Sequence, residues 1–200
     1  MLKLYDCLIS GNAYKVRLLL HQLGIPFERV ELDLMQGETR TPGFLAKNPN
    51  GRVPVLELED GTCLAESNAI LWYLSEWTRF LPEDRLARAQ VLQWMFFEQY
   101  SHEPHIAVAR FWKAYSGAPE RFERQRERLH AGGYAALDAM EGHQEGRTFL
   151  VGDRYSIADI SLYAYTHVAH EGDFDLGGYP AIRGWLARVA SRPGHVTIDA

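Results

Sequence analysis

At 200 residues the chain is long enough for one large domain or two small ones with cores of their own. A composition of 46% hydrophobic and 24% charged residues is that of an ordinary globular protein, and a net charge of −5 argues against nucleic acid, whose phosphates need a clustered positive surface. Two cysteines, Cys7 and Cys63, give no C-x-x-C pair and no framework for a secreted disulfide scaffold. The opening Met1-Leu2-Lys3-Leu4-Tyr5-Asp6 is no signal peptide, and no apolar run approaches the ~20 residues of a membrane span, so the expected compartment is the cytoplasm.

Leu2 to Tyr5 read as a short opening strand. Ile9-Ser10-Gly11-Asn12 breaks that pattern, and Val16, Leu19, Leu20 and Leu23 then supply a helical stripe that Gly24 stops ahead of Pro26. Phe27 to Leu32 alternate well enough for a second strand, and Phe44-Leu45 mark a short middle helix. Val53, Val55, Leu56 and Leu58 form a β-rich run, Asp60-Gly61 is a two-residue hairpin signal, and Thr62 to Leu64 form the returning strand. Glu66-Ser67 precede Ile70, Leu71 and Leu74, which have helical spacing, with Ser67 as the expected N-cap. The resulting order, βαβαββα, is thioredoxin-like.

After Trp77 the stretch Thr78-Arg79-Phe80-Leu81-Pro82 reads as a linker, and no convincing strand follows. The expected architecture is therefore α/β plus all-α: a thioredoxin-like domain over residues 1–77, a linker at 78–82, and an all-helical domain over 83–200. Leu86 to Trp94 and Phe96 to Trp112 are long helical patterns; Pro104 should kink or break the second, and Gly117-Ala118-Pro119 should end it. Arg121 to Met140 is a further helix whose Arg/Glu run is a solvated face. In Tyr155-Ser156-Ile157-Ala158-Asp159-Ile160, Ser156 is an N-cap with Asp159 at the third helical position, a capping box in the service of folding. A last helix follows Tyr179-Pro180, with Trp185 and Leu186 facing inward.

Two features exceed what folding requires. Pro54 opens a strand, where it loses a ladder hydrogen bond. If the Val53–Pro54 bond is cis, Val53 turns its N–H and C=O outward, free to pair with an extended peptide. Ser67 and the first N–H groups of its helix make an anion site, and Glu66 supplies a carboxylate for a cation. A ligand with a peptide backbone, an α-carboxylate and an α-ammonium fits these groups, and glutathione is such a ligand.

At Val53-Pro54 and Glu66-Ser67-Asn68-Ala69-Ile70 the chain resembles the glutathione transferase superfamily, in which both motifs occur at this separation. The resemblance is specific over about residues 2–77 and around the capping box. It implies that Val53-Pro54 pair with the cysteinyl part of glutathione and that Glu66-Ser67 hold its γ-glutamyl end. It also places the thiol-contacting residue at Ser10, with Asn12 able to donate an amide N–H to the same sulfur, as in a bacterial subgroup that uses Thr or Ser with Asn. Arg52, and more weakly Thr39, fall where the glycyl carboxylate is met, and an Arg–carboxylate pair suits that role. By family position an electrophile would sit near His105, Arg110, Phe111 and Tyr115. The resemblance further implies a homodimer.

A transferase of this kind must make the thiolate, because the thiolate is the nucleophile. A thiol of pKa ~8.5 is only about 3% ionised at pH 7, and lowering it by ~2 units brings roughly three quarters into the thiolate for about 2.7 kcal/mol. One hydrogen bond to an anion contributes ~1.5–3 kcal/mol and a helix N-terminus ~0.3–1, so one hydroxyl at the first helix start suffices without a cation. No metal is called for: His102-Glu103-Pro104-His105 is not H-E-x-x-H, and His167 and His170 have no third ligand in view. No G-x-S-x-G surrounds Ser10, and Cys7 and Cys63 read as small core residues. The alternatives are a glutathione-dependent disulfide reductase or peroxidase, or a non-catalytic module that keeps the fold. A maleylacetoacetate isomerase is disfavoured by the missing Ser-Ser-Cys signature.

Overall fold

β1 (Leu2–Asp6) is the strand on which the amino-terminal part of the chain is assembled. In the computed structural model, which describes all of Met1–Ala200, it lies inside a four-stranded sheet of order β2-β1-β3-β4, with β2 Phe27–Glu31, β3 Val55–Glu57 and β4 Cys63–Ala65. β1 runs parallel to β2 and antiparallel to β3, and β3 runs antiparallel to β4. The parallel pair is joined by α1 (Gly11–Leu23), whose Val16, Leu18, Leu19 and Leu20 are fully buried. Gly24 ends that helix at φ +68°, a left-handed cap that glycine adopts without a Cβ penalty. α2 (Pro42–Leu45) and α3 (Ser67–Ser75) complete the expected βαβαββα order.

The hairpin differs in detail from its sequence signal. Leu58 N–H donates to the Thr62 carbonyl and Gly61 N–H to the Leu58 carbonyl, so three residues, Glu59-Asp60-Gly61, form the turn rather than two. Gly61 takes φ +87°, the left-handed position of a three-residue hairpin loop.

The chain divides into two units, Met1–Thr78 together with Pro193–Ala200, and Arg79–Arg192. The last eight residues, carried with the helical domain in the sequence reading, thus lie on the sheet unit. Tyr14 Oη donates to the Val196 carbonyl at 2.7 Å, and Arg17 donates to the carbonyls of Ile198 and Ala200 at 3.0 and 2.9 Å. The acceptors are backbone carbonyls, which any sequence provides, so nothing in residues 193–200 announces the attachment.

The second unit is helical throughout: α4 Arg85–Phe97, α5 Glu103–Arg110, α6 Pro119–Gln144, α7 Ile157–Thr166 and α8 Pro180–Ala190. Pro104 does not break the chain's helical course. It sits in the first turn of α5, where a missing N–H is tolerated, after a π-helical turn at Glu98–His102 in which Glu103 N–H reaches the Glu98 carbonyl. A second π turn, Phe111–Tyr115, follows α5. α7 is buried along its whole length, and the capping box at its start is formed by Ser156 and Asp159. Trp185 of α8 is fully buried and Leu186 is half-buried.

Candidate functional site

The sheet register gathers three separate pieces of chain at one end. Tyr5 pairs with Val55, and Val55 with Ala65. The exit of β1, the entry of β3 and the exit of β4 are therefore neighbours, and just beyond those paired residues stand Ser10 and Asn12, Val53-Pro54, and Glu66-Ser67. The Val53–Pro54 bond is cis, as the motif anticipates.

Ser10 caps α1, its Oγ accepting from Ala13 N–H at 3.2 Å in extended backbone geometry. That bond occupies a lone pair and leaves the hydroxyl proton to donate elsewhere, so capping and ligand contact are compatible in one side chain. Ser67, by contrast, is not the cap of its helix. Glu66 takes the N-cap position with no side-chain cap bond, and Ser67 is the first helical residue. The cause is Glu66 itself, at φ +69° and ψ +112°, a left-handed backbone a glutamate adopts only where its surroundings impose it. Held this way, Glu66 is exposed while Ser67 turns inward with 5% exposure.

The Ser67 hydroxyl meets two partners from α1. Its Oγ lies 3.3 Å from Asn12 Oδ1 and 3.4 Å from Lys15 Nζ, and Lys15 Nζ donates to Asn12 Oδ1 at 2.8 Å. The structure thus brings Asn12 and Ser67 together across 55 residues of sequence, and adds Lys15, which is fully buried. Sequence reasoning missed Lys15. The available signal was its position three residues after Asn12, which puts both on one face of α1.

Arg52 is exposed and Thr39 is 5% exposed. Their loops adjoin at Gly51, which takes φ +62° with Arg40 and the Thr39 carbonyl so close that a Cβ would collide with them. Asn48 pins the same turn, donating from Nδ2 to the Arg52 carbonyl at 2.8 Å. Arg52 is thereby held beside Val53-Pro54 with its guanidinium open to solvent, whereas the Thr39 side chain is largely covered.

The four residues placed near an electrophile lie on α5 and the π turn after it. Arg110 is buried at 4% exposure and closes a triad: Nε to Glu171 Oε2 at 2.9 Å, Nη2 to Tyr115 Oη at 2.9 Å, and Tyr115 Oη to Glu171 Oε2 at 2.6 Å. Burial, then the bond to Glu171, raises the Tyr115 hydroxyl pKa, so it stays protonated at neutral pH. The His105 ring rests on Gly132, where any Cβ would strike it, and burial lowers its pKa. Phe111 packs edge-on to Trp112.

Cys7 is buried and its thiol pKa is raised by that burial, the opposite of what a nucleophilic cysteine needs. No group of three His, Cys, Asp or Glu side chains is placed to hold a metal ion. A cavity of about 510 Å³ lined by His21, Gly24, Pro26, Phe27 and Ala200 lies at the start of β2, away from these residues.

Family models match both halves of the chain. The model of the glutathione S-transferase N-terminal domain matches residues 1–76, and that of the glutathione S-transferase C-terminal domain matches residues 95–193. A glutathione S-transferase crystal structure from Pseudomonas fluorescens is 57% identical, superposes with a TM-score of 0.96, and is matched over 98% of both chains. A glutathione transferase from Burkholderia graminis, with two glutathione molecules bound per subunit, is 29% identical with a TM-score of 0.85, over 96% of this chain and 85% of that one. The disulfide-bond oxidoreductase YfcG of Escherichia coli is 30% identical, over 92% of this chain and 88% of its own length.

Proposed function

The chain belongs to the glutathione S-transferase family, and from that premise we propose that it binds glutathione at the gathered sheet end and ionises its thiol for attack on a small electrophile. The observation that carries this reading is the convergence of Ser10 and Asn12, cis Val53-Pro54, and Glu66-Ser67, three segments far apart in sequence that the sheet register brings to one end.

In this reading Ser67 and the first N–H groups of α3 take the α-carboxylate of the γ-glutamyl residue, and the exposed Glu66 takes its ammonium. The backbone N–H and C=O of Val53 pair with the cysteinyl residue as an added strand would, and Arg52, with Thr39 beneath, meets the glycyl carboxylate. The thiol then lies at the start of α1. There the Ser10 hydroxyl and the Asn12 amide donate to sulfur and favour the anion, and the proton passes to solvent. The thiolate attacks an electrophilic carbon of a small molecule. Such a reaction would serve the clearance of reactive small molecules in the cytoplasm.

A second reading, attack on a disulfide sulfur with release of the other thiol, is favoured by the match to the E. coli disulfide-bond oxidoreductase. We further propose a homodimer, supported by the large apolar side chains left exposed at Tyr73, Trp77, Phe96 and Tyr100. Sedimentation at micromolar concentration should give twice 22.8 kDa, and a monomer would refute it.

Calorimetric titration with glutathione, followed by turnover with a panel of electrophiles, hydroperoxides and mixed disulfides, tests the main reading. Glutathione at ~100 times its dissociation constant should add ~2.7 kcal/mol to stability. No heat at millimolar glutathione would leave the family fold without this chemistry. Turnover confined to disulfides would select the second reading.

A further inference from the structure

We propose that Lys15 is a positioning residue for thiol activation: its buried ammonium sets the orientation of Asn12 and ties the holder of the γ-glutamyl carboxylate to the holder of the sulfur. This inference rests on the glutathione-binding reading above and names the residue that couples the two ends of that ligand.

The argument starts from what each atom can do. A lysine ammonium has three donors and no acceptor, whereas the carboxamide of asparagine has one accepting end and one donating end. Lys15 Nζ at 2.8 Å from Asn12 Oδ1 therefore decides which way the amide faces, since the reverse orientation would set N–H against ammonium. With Oδ1 committed to Lys15, the Nδ2 hydrogens are turned away from the ammonium. The same logic holds for Ser67. At 3.4 Å from Nζ its oxygen can only accept, so its own proton is kept for donation. It can give that proton to Asn12 Oδ1 at 3.3 Å or to a carboxylate that arrives in its place.

Charge gives the second half of the argument. A fully buried lysine is uncommon and costs folding free energy; its neighbours Ala13, Tyr14 and Val16 are all at 0% exposure, and the other buried cation of α1, Arg17, is paired with Asp6. An ammonium beneath Ser67 and Asn12 lowers the free energy of an anion at either. Glutathione carrying a thiolate has three anionic groups and one cationic one, so the site it enters has reason to hold a buried positive charge.

The test compares the ultraviolet thiolate absorbance of bound glutathione against pH for the wild type, Lys15→Met, Asn12→Ala and the double variant. The expected result is an upward shift of the bound thiol pKa by about one unit in Lys15→Met, a roughly tenfold smaller ionisation constant. The double variant should shift by less than the sum of the two single variants, because part of what Lys15 does passes through Asn12. A Lys15→Met titration superimposable on wild type overturns the proposal, as do single-variant shifts that simply add. Should Lys15→Met fail to fold, Lys15→Gln keeps the donor and most of the volume while removing the charge. It should raise the pKa in the same direction, and an unchanged titration there is equally fatal. Failure of the underlying reading appears differently, as absence of glutathione binding by the wild type itself.

Discussion

Three helix starts in this protein carry a serine, and they differ in what that serine does. At the start of α7, Ser156 caps the helix and Asp159 accepts from Ser156 N–H at 2.9 Å, Ser156 Oγ at 3.2 Å, Leu150 N–H at 3.0 Å and Trp185 Nε1 at 2.9 Å. Both residues are almost fully buried. Burial lifts the Asp159 carboxyl to about 6, so at neutral pH it is still the anion that accepts those four bonds. At the starts of α1 and α3 the closure is partial: Ser67, Asn12 and Lys15 bond one another, but other groups stay open. Ser10 caps with a lone pair and keeps its proton, Ser67 is relieved of capping by the strained Glu66, and Glu66 is exposed. A polar cluster whose hydrogen bonds all terminate internally holds a fold together; one that leaves donors aimed outward is built to receive something.

The largest effect that would break this contrast is expected at the closed start. Asp159→Ala removes the acceptor for four buried donors, and such a loss typically costs ~3–5 kcal/mol. Urea denaturation should show a collapse of the midpoint, and a change under ~1 kcal/mol would mean those donors find water or each other. Next in size is Ser67→Ala. Because Ser67 does not cap α3 but bonds buried Asn12 and Lys15, stability should fall by only ~1–2 kcal/mol, while glutathione affinity should fall by roughly ten- to a hundredfold, the loss of one bond to a charged group. A large drop in melting temperature with affinity intact would make Ser67 a structural residue after all. The smallest is Ser156→Ala, where losing the cap should lower stability by ~1 kcal/mol and leave glutathione affinity untouched. A changed affinity would erase the distinction between the closed start and the open ones.

What the sequence reveals divides along the same line. The capping box at Ser156 and Asp159 is legible because its geometry is local, a fixed spacing of three residues. Val53-Pro54 and Glu66-Ser67 are legible because a proline opening a strand and an acidic residue before a helix-start serine sit badly with folding alone. Ser67's true position was not, since a shift from cap to first helical residue depends on the φ of Glu66. Lys15 was hidden for a different reason: its residue type signals solvent, and one of its partners, Ser67, lies 52 residues away. The attachment of residues 193–200 was hidden because its acceptors are main-chain carbonyls.

The central claim is that the open start of α1 turns a bound thiol into a thiolate. It is tested most directly by following the ultraviolet absorbance of the glutathione thiolate against pH in the wild-type complex and in Ser10→Ala. The account predicts a bound thiol that ionises ~1–2 units below the ordinary ~8.5 in the wild type and moves back up by at least ~1 unit in Ser10→Ala, with the cap loss costing only ~1 kcal/mol of stability. A bound thiol that titrates as it does free in solution would contradict it.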